Sequence, residues 1–104
     1  MTDKELLELA ARAAGIELMK NFLIADRVAK TKAGDLWAPL EDDGDALRLA
    51  VKLEIEICFP LILPQGESPV RTNAEFFEAQ ASDPYAATRR AIVRAAAEIG
   101  RSMR

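Results

Sequence analysis

The sequence predicts an α+β domain in which a small antiparallel sheet has helices packed on it as a three-layer α/β/α sandwich, with a two-layer form as the alternative. Three observations carry this expectation. Residues 2–14 repeat apolar side chains at helical spacing, Glu54 to Phe59 alternates apolar with polar, and Asp83-Pro84 opens a long alanine-rich segment in the manner of a helix start. A chain of 104 residues, half of them apolar, has the size of one domain, 1–104, and would be too small to divide into two adequate cores.

The first helix is expected over 2–14. Thr2 and Glu5 have capping-box spacing, so the threonine hydroxyl accepts from an early backbone N–H while the glutamate reaches back. Leu6, Leu9, Ala10 and Ala13, with Leu7 and Ala14, form the apolar stripe, and Glu8 and Arg12 are spaced for an ion pair on the other face. Gly15 supplies the stop.

Residues 16–30 admit two readings. Two strands, Ile16 to Leu18 and Phe22 to Ile24, would turn near Lys20-Asn21; a helix continuing through Val28 is the rival, and Gly15 favours the strands. Thr31 to Asp35 reads as a loop. Trp37 to Leu40 is extended because Pro39 biases Ala38 away from helical angles.

Asp42 or Asp43 then caps a helix to about Leu53, with Asp45 favourably placed in its first turn. Ala46, Leu47, Ala50, Val51 and Leu53 cover most of its circumference, which predicts a helix covered on more than one side. Glu54 to Phe59 is the clearest strand. Gln65 to Pro69 is a turn, and Val70 to Phe77 returns as a second strand or gives a short helix from Asn73. The last helix spans 84–103, with Asp83 as cap, Pro84 at its first position, and Tyr85, Ile92, Ala96, Ile99 and Met103 as its core stripe.

Composition excludes several kinds of chemistry. The chain has no histidine, which rules out histidine acid–base catalysis and histidine-ligated metals, and a single cysteine, Cys58, which rules out an internal disulfide or a cysteine-rich zinc site. Its net charge of −3 argues against a surface given over to nucleic acid. The opening residues do not read as a signal peptide, and no apolar run approaches the roughly 20 residues of a membrane helix. A cytoplasmic location and no membrane partner are expected.

Four features are candidates for function. Glu41, Asp42, Asp43 and Asp45 are clustered oxygen donors, but their spacing is not that of a calcium loop and a capped helix start explains them. Arg90, Arg94 and Arg101 fall within about 40° of one another on the last helix and make a candidate track for nucleic-acid phosphates, against the alternative of a solvated, ion-paired face. Trp37, Phe76 and Phe77 are candidate contacts for a partner, each weighed against a place in the core. Cys58 has no histidine to activate it and reads as a small buried residue. Neither a glycine-rich phosphate loop nor a Gly-x-Ser-x-Gly elbow is present. No catalytic residue, metal or cofactor is therefore expected.

The run Trp37-Ala-Pro-Leu-Glu-Asp-Asp-Gly-Asp-Ala-Leu-Arg-Leu-Ala-Val-Lys-Leu53 resembles a segment of small uncharacterised proteins encoded by tailed phages and prophages. Asp83-Pro-Tyr-Ala-Ala-Thr-Arg-Arg-Ala-Ile-Val-Arg-Ala-Ala-Ala-Glu-Ile-Gly100 resembles their C-terminal helix, and Leu6 to Ala11 also fits. These stretches span about two-fifths of the chain; 16–36 and 60–82 match no such pattern. The resemblance implies a phage α/β/α-sandwich domain and a host-cytoplasm setting, and supplies no activity. The expectation is a non-enzymatic accessory protein that meets a phage or host protein, or a second copy of itself in a homo-oligomer; the alternative is a nucleic-acid-binding module on the basic helix face.

Overall fold

Thr2 starts the first helix as its spacing predicts: its hydroxyl accepts from the Glu5 backbone N–H at 3.1 Å and donates to the Glu5 carboxylate at 3.2 Å. In the computed structural model, which describes residues 1–58, 69–72, 77–79 and 83–103, the elements follow in order. They are α1 (Asp3–Ala14), β1 (Leu18–Ala25), β2 (Val28–Thr31), β3 (Leu36–Trp37), α2 (Asp43–Leu53), β4 (Ile57–Cys58), β5 (Pro69–Thr72), β6 (Phe77–Ala79) and α3 (Pro84–Ser102). This is an α+β fold of helices and antiparallel strands. The strands form two three-stranded sheets, ordered β1-β2-β3 and β4-β5-β6, where one sheet was expected. Helix α2 intervenes in the chain between β3 and β4 and separates the two sets.

Helix ends obey local rules. Gly15 takes the left-handed conformation (φ 71°) and closes α1. Asp42 caps α2 by accepting from the Asp45 N–H at 2.8 Å, and Asp83 caps α3 by accepting from the Ala86 N–H at 3.0 Å. Arg12 does not meet Glu8: its guanidinium donates to the Met103 carbonyl at 2.7 Å, joining the flank of α1 to the end of α3.

Within 16–30 the chain is strand over Leu18–Ala25 and from Val28 onward, not helix, but its turn is not at Lys20-Asn21. Strand β1 runs through those residues, and the chain reverses at Asp26-Arg27, with Ala25 opposite Val28. No glycine marks this turn; Arg27 itself adopts φ 63°. Glu54 likewise is not a strand residue. It takes φ 54° as the left-handed cap of α2, so the alternating stretch pairs only from Ile57. Strand β5 (Pro69–Thr72) runs antiparallel to β4, as a returning strand would, but Phe77 lies on β6, antiparallel to β5, so Val70 to Phe77 is not one strand; residues 73–76 and Phe59 lie outside the described residues.

The core is centred on α1 against α3. Leu6, Leu7, Ala10, Ala11 and Ala14 meet Ile92, Val93, Ala95, Ala96 and Ala97, and Phe22, Trp37, Leu40, Leu49 and Ile55 complete it. Small alanine side chains let the two helix axes come close. Of the expected stripe of α3, Ile92 and Ala96 are buried, but Tyr85, Ile99 and Met103 are exposed, and the buried face turns instead toward Ala91, Val93, Ala95 and Ala97. Helix α2 buries only Ala46, Leu49 and Ala50; Leu47 and Val51, expected to be covered, face outward.

Candidate functional site

The apolar surplus of α2 and the rotation of α3 converge on one place. Asp42 fixes where α2 begins, and Asp83-Pro84 fixes where α3 begins. Between the two helices lies an open groove of about 540 Å³, lined by Asp43, Ala46, Leu47, Ile57, Pro84, Tyr85, Thr88, Arg89 and Ile92. Leu47 is 60% exposed and Tyr85 69%, and Val51, one turn beyond Leu47 on α2, is 69% exposed. The groove is chiefly apolar. Its polar members are engaged at the rim: Arg89, with a side chain only 14% exposed, donates to the Leu40 carbonyl at 2.9 Å and to Asp43 at 2.6 Å. Such a surface suits an apolar side chain of another molecule.

The acidic cluster is distributed among separate partners. Glu41 accepts from Arg27 at 3.1 Å, Asp42 caps its helix, Asp43 accepts from Arg89, and Asp45 accepts from the Ala38 N–H at 2.9 Å and from Arg48 at 2.6 Å. Among the described residues no group of three or more cysteine, aspartate or glutamate side chains is gathered as a cation would need. The bond from Asp45 raises the pKa of Arg48 above its ordinary value, with desolvation opposing it. Arg27 is raised in the same way, chiefly by its bond to Glu41, with desolvation opposing and Asp3 adding to the rise.

The basic residues of α3 are also dispersed. Arg90 donates to Asp3 at 3.1 Å, Arg101 lies 3.8 Å from Glu98, and Arg94 is half-buried and engaged. Trp37, considered as a partner contact, is a core residue at 7% exposure, packed within the main cluster. Phe76 lies outside the described residues. Phe77 begins β6 opposite Arg71, and Cys58 ends β4 opposite the same residue.

Sequence reasoning missed the groove because it assigned Leu47 and Tyr85 to the core. The signal was present in α2, whose apolar residues surround it too widely for a single buried face. No described helix is long and apolar enough to cross a membrane. No family model, curated protein or solved structure matches the chain.

Proposed function

We propose that the chain is a small non-enzymatic accessory protein that acts through protein–protein contacts, self-association first among them, in the phage or prophage setting its sequence resembles. The observation that carries this reading is the outward apolar face of α2, where Leu47 lines the groove with Tyr85 of α3 and Val51 stands exposed one turn beyond. Apolar side chains gathered on a surface gain stability when another chain removes them from water. Charged side chains of α2 and α3 are paired within the chain, as Arg89 is with Asp43 and Arg48 with Asp45.

A nucleic-acid-binding role for Arg90, Arg94 and Arg101 has less support, since Arg90 is already bonded to Asp3 and Arg101 sits beside Glu98. Size-exclusion chromatography with light scattering, run over a wide concentration range, tests the favoured reading. A dimer or larger species is expected at high concentration, and its loss is expected in the Leu47→Glu, Val51→Glu double variant. A wild-type chain that stays monomeric throughout would refute self-association.

A further inference from the structure

We propose that Arg27 is an ionic latch that holds the β1–β2 hairpin onto the helices, and that the tip of this hairpin opens as a local unit when the latch is screened. Arg27 sits in the two-residue turn between Ala25 and Val28. From there its Nε donates to Asp3 at 3.0 Å, at the start of α1, and its Nη1 donates to Glu41 at 3.1 Å, just before α2. Asp3 uses its second oxygen for Arg90 of α3, at 3.1 Å. One guanidinium thus joins the hairpin to the beginnings of two helices and, through Asp3, to a third.

On the β2 side Ala29 is buried in the core and paired with Trp37 of β3, but the β1 side of the tip has little else to hold it. Its ladder is interrupted: Leu18 pairs with Thr31, and the next pair, Leu23 with Ala29, follows only after a register shift. Along β1 the sole buried residue is Phe22. Arg27 keeps a left-handed φ of 63°, unusual for a residue with a long side chain, in the conformation that delivers its two bonds. Regions with few buried side chains and irregular pairing open at lower free energy than the core, and partly exposed ion pairs weaken as salt rises. The device concerns motion within one chain and stands whether or not the chain self-associates.

Native-state hydrogen exchange on the full chain tests it. Raising NaCl from about 0.02 M to about 0.5 M should speed exchange at Leu23 and Ala25 of β1 by roughly 3- to 10-fold, while Val93 and Ala96 in α3 stay unchanged. Asp3→Asn and Glu41→Gln should each reproduce part of the acceleration at low salt and abolish part of the salt response, with the turn sequence intact. Arg27→Asn, which tolerates the left-handed conformation, should reproduce most of it. Hairpin and α3 amides accelerating together would show only global destabilisation and overturn the latch. Unchanged hairpin exchange in both carboxylate variants would overturn it as well.

Discussion

Gly100 of α3 lies against the Leu9 carbonyl of α1 so closely that a Cβ at position 100 would collide with the carbonyl oxygen and stand 2.8 Å from its carbon. The obstacle is backbone inside a helix, which cannot swing aside as a side chain can. At this point the approach of the two central helices requires a glycine, and alanines line the rest of their contact. Gly100→Ala should therefore destabilise the protein by about 2 kcal/mol, the gain in helix propensity being outweighed by overpacking. Urea unfolding checks this, and a variant as stable as the wild type would mean that the helices can separate freely.

Arg89, with a side chain only 14% exposed, makes two bonds in different directions, to the Leu40 carbonyl and to Asp43. Lysine carries the charge but cannot present that fork. Arg89→Lys should cost about 1 kcal/mol and Arg89→Ala about 2 kcal/mol, because the bonds are lost along with the packing of the stem against the groove. Thermal denaturation of the two variants should rank them in that order.

Glu54 ends α2 in the left-handed conformation, and its side chain is exposed. Glycine adopts this conformation without the Cβ clash. Glu54→Gly should stabilise the fold by about 0.5–1 kcal/mol, net of the greater freedom glycine gives the unfolded chain. A lowered melting temperature would contradict the assignment of Glu54 as the helix cap.

Leu47 protrudes from α2, so its replacement leaves the interior untouched. Leu47→Glu should shift the stability of the monomer by less than about 0.5 kcal/mol. Far-ultraviolet dichroism and a melting curve at low concentration separate this from any effect on association; a loss of several kcal/mol would show that Leu47 is a core residue after all.

Rules that act within a few residues determined much of this protein from its sequence. Thr2 with Glu5, Gly15, Asp42 and Asp83-Pro84 each satisfy backbone groups at a helix end through neighbouring atoms, so α1, α2 and α3 were legible to within a residue or two. The α+β class followed from the same local periodicities. Tertiary structure alone decided which side of each helix is buried. On α3 the alanines won over Tyr85 and Ile99, because close helix approach rewards small side chains at the contact, and hydrophobicity by itself does not rank them first. It also decided the turn at Asp26-Arg27, where a residue with no intrinsic preference for the left-handed region is held by carboxylates far away in the chain, and the groove beside Leu47, which exists only because α2 and α3 meet. Such outcomes depend on long-range packing and charge pairing, which no window of neighbouring residues contains.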